Sequence, residues 1–194
     1  VSDANGNAAV QVVRTVEVVD TTVPLIILAG EASVVHEAKT PFTDAGATAT
    51  DTLDGSLTAN MVIVNMVNPE KLGTYTINYN VSDANGNAAV QVVRTVEVVD
   101  TTVPVISLVG EATVVHEART PYTDAGATAT DTLNGNLTAI MASESTVNPD
   151  ELGIYTVKYN VNDANGNVAV RVVRTVEVVD TTVPVIRLVG ESTV

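Results

Sequence analysis

Apolar and polar residues alternate in the stretch IYTVKYNV, residues 154–161, from Tyr155 onward. The odd-numbered positions 155–161 hold Tyr or Val, and the positions between them hold Thr, Lys and Asn. A period of two places successive side chains on opposite faces of a β-strand. The pattern therefore predicts a strand here with one buried face.

The same kind of segment recurs along the chain with a period of 80 residues. Residues 20–99 and 100–179 are identical at 58 of 80 positions, and residues 1–24 are repeated unchanged at 81–104. We therefore divide the chain into the last strand of a preceding repeat (1–19), two complete repeats (20–99 and 100–179) and the first strand of a following repeat (180–194). We expect it to be a piece of a longer protein.

Each repeat contains about seven short segments rich in Val and Thr, separated by turn signals at roughly ten-residue spacing. Both residue types are β-branched and favour strands. Eighty residues suit a small independent β-sandwich better than one coil of a solenoid. The linker VEVVDTTVP is short, ends in Pro and lacks a Gly or Ser run, so we expect all-β, immunoglobulin-like sandwiches in a semi-rigid rod.

The last strand of each repeat contains an inconsistency. Arg174 falls on the same face as Val170, Val172, Val176 and Val178. Two explanations are open: Arg174 lies at a sheet edge with its stem on apolar surface, or a β-bulge shifts the register nearby. We favour the bulge.

The motif GxYTVxYxVxDxxGN, followed by a Val- and Thr-rich strand, resembles the bacterial Ig-like repeats of large secreted and cell-surface proteins. With DTTVPVI and YTDAGATATDTLNGNLT, the resemblance covers essentially the whole chain. It implies an Ig-like fold, an extracellular or cell-surface location, and an adhesin, matrix or fibre context without a shared enzymatic activity.

The net charge of the chain limits the kinds of molecule that it can bind. The formal net charge is −14 with only 9 Lys and Arg, which argues against nucleic acid and against an anionic membrane surface. No segment is apolar for long enough to span a bilayer, so we expect no membrane insertion. The chain has no Cys and two His, and no Ser-His-Asp set is evident, so we expect no enzyme.

The loop DANGN has the ligand types of a calcium loop at alternate positions, but the twelfth position counted from its Asp is Arg94 or Arg174 instead of Glu. It is therefore no EF-hand. Asn-Gly is the preferred pair for a tight hairpin turn in which both central residues take positive φ. We favour the turn.

Sandwich topology offers a different cation site. The loop before the last strand and the loop after ATATD should meet the linker Asp at one end of each repeat. A hard cation such as Ca²⁺ would relieve the repulsion between the carboxylates there. The alternative is a set of solvated acids that cap turns. The candidate ligands are Asp20, Asp51, Asp54 and Asp83 in one repeat, and Asp100, Asp131, Asn134 and Asp163 in the next.

The two repeats differ most between NMVIVNM (60–66) and IMASEST (140–146), where six of seven residues change. An apolar strand that the fold does not require is a candidate for assembly. We expect Met61, Val62, Ile63 and Val64 to contact an identical chain in a filament or bundle, with chance drift at an exposed edge as the alternative.

These observations predict a non-catalytic structural repeat of a bacterial extracellular adhesin or fibre, acting as a spacer or assembly unit whose partners are neighbouring repeats. Two alternatives stay open. One is an Ig-like module that binds carbohydrate or protein, and the other is an accessory domain of a secreted enzyme.

Overall fold

The protein is described from a computed structural model that covers residues 1–190. The alternating segments of the first repeat form seven strands, and a single 3₁₀ turn at Thr58–Asn60 precedes the fifth. The strands are β1 (Leu25–Leu28), β2 (Ser33–Glu37), β3 (Ala47–Asp51), β4 (Gly55–Ser56), β5 (Val62–Asn65), β6 (Gly73–Asn80) and β7 (Val92–Val99).

The second repeat has the same seven strands in the same order, with its 3₁₀ turn at Thr138–Ile140. The strands are β8 (Val105–Leu108), β9 (Thr113–Glu117), β10 (Ala127–Asp131), β11 (Gly135–Asn136), β12 (Ala142–Ser145), β13 (Gly153–Asn160) and β14 (Val172–Val179).

Each repeat contains a three-stranded and a four-stranded sheet. The orders are β1-β3-β4 and β2-β7-β6-β5 in the first repeat, and β8-β10-β11 and β9-β14-β13-β12 in the second. In the second repeat β9 and β14 pair in parallel, and the other pairs are antiparallel. The prediction of tandem all-β sandwiches is confirmed.

The cores follow the predicted alternation. Val157, Tyr159 and Val161 of the IYTVKYNV stretch are buried on one side of β13. They pack with Val176 and Val178 of β14 and with the inward residues of the facing sheet. Because aromatic residues are only 3% of the chain, Val, Ile, Leu and Ala fill most of the core.

Arg174 contradicts both explanations offered for the last strand. The register between β13 and β14 is continuous, so there is no bulge, and β14 lies inside its sheet instead of at an edge. The side chain of Arg174 is 1% exposed and forms an ion pair with Asp124. Its Nε and Nη2 donate to the carbonyls of Glu111 and Val109 at 3.0 and 2.5 Å. The buried charge is stabilised because Nη1 also donates to Asp124 and Nη2 donates a second hydrogen bond to the Gly126 carbonyl.

The DANGN loop is a turn, but its predicted geometry is wrong. Gly166 has φ of 92°, whereas Asn165 is not among the non-Gly residues with positive φ. The turn forms because Asp163 Oδ1 accepts the backbone N–H groups of Asn165 and Asn167 at 2.9 and 2.8 Å. The Asp side chain thus closes the turn that Asn-Gly alone was expected to form.

Identical sequence takes two structures in this chain. Val92–Val99 forms β7, whereas residues 9–19 form no strand. Val96 is fully buried, and its counterpart Val16 is 74% exposed. A strand needs neighbours to pair with and a core to cover, because β propensity is mostly packing.

Residues 180–190 form no strand either, and residues 191–194 lie outside the described part of the chain. The repeat boundaries at 20, 100 and 180 stay a prediction.

Candidate metal centre

Three carboxylates meet at one end of the second repeat. Asp100 follows β7, Asp131 ends β10, and Asp163 lies in the loop after β13. Each offers one oxygen, and these three oxygens lie within 4.8 Å of one another. All three residues are buried, with 7–9% of their surface exposed. We call them the second acid cluster.

Local turns fix the carboxylates in place. Asp131 Oδ1 accepts the backbone N–H groups of Leu133 and Asn134 at 2.9 and 2.8 Å, which closes the turn into β11. The side-chain amide of Asn167 donates both to Asp163 Oδ2 at 2.7 Å and to the backbone carbonyl of Asp100 at 3.2 Å. This amide ties the loop to the linker, so the acidic groups cannot move apart freely.

Two carboxylate oxygens of this cluster, and the side-chain oxygen of Asn134 three residues after Asp131, have no hydrogen-bond donor among the described residues. Asp100 Oδ2, Asp131 Oδ2 and Asn134 Oδ1 are buried without a hydrogen-bond partner among residues 1–190. Each unsatisfied buried group costs about 1–3 kcal/mol, and a charged group costs more. Burial and the charges of Asp131 and Asp163 raise the pKa of Asp100. The folded chain thus holds acceptors for which the described residues provide no counter-charge.

The equivalent carboxylates of the first repeat also meet. Asp20, Asp51 and Asp83 place one oxygen each within 4.8 Å of one another, and we call them the first acid cluster. Asp83 is buried, while Asp20 and Asp51 are partly exposed. In this cluster Asp20 Oδ2 is buried and unpaired.

The fourth predicted ligand differs between the repeats. Asp54 Oδ2 accepts the backbone N–H of Ala84 at 2.8 Å, so this carboxylate is already engaged. Its counterpart Asn134 has a buried, unpaired Oδ1. The structure thus brings the linker, strand-end and loop acids together in both repeats. It leaves an amide oxygen free only in the second of the two, within the described residues.

A threonine hydroxyl distinguishes the clusters further. Thr22 Oγ1 donates to Asp20 Oδ1 at 2.5 Å and lies 3.4 Å from Asp51 Oδ2. Its counterpart Thr102 Oγ1 donates instead to Glu37 Oε1 at 2.7 Å. The first acid cluster therefore receives a hydroxyl donor that the second acid cluster lacks.

Glu37 is a residue that the sequence analysis missed. Its carboxylate accepts the backbone N–H and the hydroxyl of both Thr101 and Thr102, an arrangement that we call the linker anchor. Glu117 makes the same bonds to Thr181 and Thr182. The available signal was the repetition of HEA and DTT at a fixed offset, but nothing in either motif states that they meet.

The anchor stabilises the ionised carboxylate. Burial opposes ionisation of Glu37, but the hydroxyl and N–H donors of Thr102 and Thr101 outweigh it and lower its pKa to about 2. The hydroxyls of Thr181 and Thr182 lower the pKa of Glu117 to about 2 as well. Both carboxylates are therefore charged across the physiological range.

The predicted assembly strand lies at a sheet edge. β5 is the terminal strand of its sheet, and Val62, Ile63 and Val64 are 62%, 48% and 46% exposed. Met61 is only partly exposed and precedes the strand. The counterpart β12 is also at an edge, with the sequence ASES. The fold therefore does not need apolar side chains here, and assembly through β5 stays a prediction.

Comparisons with known proteins agree with this architecture. The family model described as bacterial surface protein, Ig-like domain, matches residues 26–98 and 106–178. No curated protein sequence matches the chain. Among the helices in the part of the chain that the structure describes, none has the length and apolar character needed to cross a membrane.

Three solved structures are similar. A structure of Clostridium perfringens ZmpB with its M60 catalytic domain and two CBM51 domains aligns at a TM-score of 0.50 and 14% identity, over 81% of this chain and 31% of that one. A second ZmpB structure, with CBM51-2 in complex with GlcNAc and INT domains, gives 0.33 and 28%, over 44% and 17%. A lipoprotein of Bacteroides thetaiotaomicron gives 0.37 and 16%, over 74% and 95%.

This chain thus spans less than a third of the ZmpB chains, and the similarity to the first of them shows a shared fold. The family model covers both repeats, which is about three quarters of the residues. The chain belongs to the bacterial surface protein Ig-like domain family and carries two copies of that domain.

Proposed function

We propose that the two domains are non-catalytic structural units that act as spacers in an extracellular bacterial adhesin or as the body of a surface fibre. A spacer must hold its length under load, so its linkers should be fixed instead of flexible. The linker anchor is the observation that carries this proposal.

The anchor joins the linker to the domain at two successive residues. Thr101 and Thr102 each give a backbone N–H and a hydroxyl to the Glu37 carboxylate, and both hydroxyl bonds are 2.7 Å long. Hydrogen bonds to a charged acceptor are the stronger kind. Pro104 follows after Val103 and restricts the backbone further. A freely moving tether would not use four donors on one carboxylate.

The interior of each domain supports the same role. The guanidinium of Arg174 bridges carbonyls on both sides of the Gly110 turn and pairs with Asp124. Tyr159 donates its hydroxyl to the same Asp124 carboxylate. The network links two strands of the four-stranded sheet to the loops next to β8 and β10 of the three-stranded sheet, and it is present in the first domain as Arg94, Asp44 and Tyr79. A fold tied across its layers suits a load-bearing unit.

Single-molecule stretching of the whole chain tests the proposal. Each 80-residue repeat should unfold as one step of about 26–29 nm, at 3.3–3.6 Å per extended residue and before subtraction of the folded length. The linker should not lengthen before the first step, and Glu37→Ala should add extension at lower force. If the wild-type linker lengthens freely before either domain unfolds, the spacer proposal is wrong.

The alternative functions predict different results. A carbohydrate- or protein-binding module should show saturable binding of a glycan or protein partner to the isolated chain. An accessory domain should change the activity of the enzyme that carries it without a mechanical phenotype. We favour the spacer because the anchor recurs at both linkers, through Glu37 and Glu117.

A further inference from the structure

We propose that the second acid cluster, together with the side-chain carbonyl of Asn134, binds one hard divalent cation of the calcium class. Glu37 is a positioning residue for this site, because it holds the Thr102 hydroxyl away from the carboxylates. The proposal does not depend on the spacer function, since a cation site would serve a binding module equally well.

The donor set selects the class of cation. Three carboxylates and one amide offer oxygen alone, which suits hard cations and disfavours zinc or copper. Calcium binds oxygen at about 2.4 Å, so two ligands on opposite sides of one ion are about 4.8 Å apart. The carboxylate oxygens of the cluster lie within that span. Calcium takes further ligands from water and backbone carbonyls, so a calcium site can form around four side-chain oxygens of the protein.

A second observation does not depend on how many carboxylates meet. Some of their oxygens are buried and have no hydrogen-bond partner among residues 1–190. Asp100 and Asp131 are each 9% exposed, and their Oδ2 atoms have no hydrogen-bond donor among residues 1–190. Asn134 Oδ1 is also buried and has no hydrogen-bond donor among these residues. The ion pairs Lys39–Glu70, Arg94–Asp44 and Arg174–Asp124 do not involve these residues. A divalent cation would satisfy the free oxygens and offset their charge together.

The first acid cluster shows what happens without the anchor. No hydrogen bond joins Thr22 to a glutamate within the described residues, and its hydroxyl bonds Asp20 instead. That hydroxyl also approaches Asp51 Oδ2. Because a hydroxyl donor and a cation compete for the same carboxylate oxygens, a Thr102 hydroxyl released from Glu37 should weaken cation binding at the second acid cluster.

Calorimetric titration of the whole chain with calcium chloride tests the site. We expect one tight class of binding, and Asp131→Asn should abolish it. This variant keeps an oxygen that accepts the N–H groups of Leu133 and Asn134, so the turn should persist. Without calcium the variant should melt no lower than wild type, because repulsion is removed. In wild type calcium should raise the melting temperature, and in the variant this shift should be lost.

Glu37→Ala tests the positioning role, and Glu117→Ala is the matched control. We expect Glu37→Ala to weaken the tight class at least tenfold, because Thr102 is released toward the carboxylates. Glu117→Ala removes an equal anchor from Thr181 and Thr182, so calcium affinity should not change. Adding Thr102→Val to Glu37→Ala should restore binding, since Val has no hydroxyl to compete.

Four outcomes would overturn the proposal, two for the cation site and two for the role of Glu37. If wild type fails to bind calcium at millimolar concentration, or if Asp131→Asn binds it equally well, the second acid cluster is not a cation site. Equal affinity of Glu37→Ala and Glu117→Ala, or no rescue by Thr102→Val, would remove the role of Glu37.

Discussion

The two domains are near-copies that differ at three functional places. The second domain has an amide at its acid cluster, an extra tyrosine hydroxyl beside the buried arginine, and a polar edge strand. The first domain has a carboxylate at the equivalent position, Phe42 in place of the tyrosine, and an apolar edge strand. The two domains share 58 of 80 residues and the same fold, yet their side chains differ at these three places. Each difference can be tested by exchanging the residue of one domain for that of the other.

The buried arginines should give the largest effects. Arg174→Ala leaves the Asp124 carboxylate without its cation and the carbonyls of Glu111 and Val109 without donors. We expect the second domain to lose about 3–5 kcal/mol of unfolding free energy. Chemical denaturation should show one transition shifted and the other kept. Arg171→Ala, at an exposed position before β14, should change little.

The added hydroxyl should give a smaller effect. Tyr122 donates to Asp124 Oδ1 at 3.0 Å, and both it and Phe42 make the same edge-on contact with a His ring. Tyr122→Phe should therefore cost about 1 kcal/mol in the second domain and leave the ring contact intact. The reverse change, Phe42→Tyr, should stabilise the first domain. A loss of 3 kcal/mol or more from Tyr122→Phe would show that the two networks differ in more than this bond.

Acid should release the linker anchors without unfolding the domains at first. The pKa of Glu117 is lowered from 4.5 to about 2, so its contribution is fully present above pH 4.5 and is lost as the pH falls toward 2. Amide signals of Thr181 and Thr182 should shift across this window in NMR spectra. In Glu117→Gln that titration should be absent. A midpoint near pH 4.5 in wild type would mean that the anchor does not hold in solution.

The edge strands should give the smallest effect on stability. Val64→Glu places the residue of the second domain at an exposed position of the first, so unfolding free energy should change by less than about 0.5 kcal/mol. If β5 pairs with β5 of another chain, self-association measured by sedimentation should weaken. Glu144→Val should strengthen it. Unchanged association in both variants would leave chance drift as the explanation of this strand.

Sequence patterns were sufficient for the fold because the alternation from Tyr155 to Val161 indicates which face of the strand is buried, and the repeat period indicates the size of each domain. They were insufficient for Arg174, since a buried charge is stabilised by acceptors from distant segments, such as Asp124, that no local pattern reveals. The meeting of Asp100, Asp131 and Asp163 followed from sandwich topology alone. The role of Glu37 could not be predicted in this way, because it depends on which carboxylate accepts the hydrogen bond of the Thr102 hydroxyl.

A crystal structure of the chain grown with calcium chloride tests the central claim most directly. We predict an ion between Asp100, Asp131 and Asp163, with ligand distances of about 2.3–2.6 Å and Asn134 Oδ1 in contact. Thr102 should remain bonded to Glu37. A second acid cluster without an ion at saturating calcium, or an ion held by the first acid cluster alone, would contradict the account.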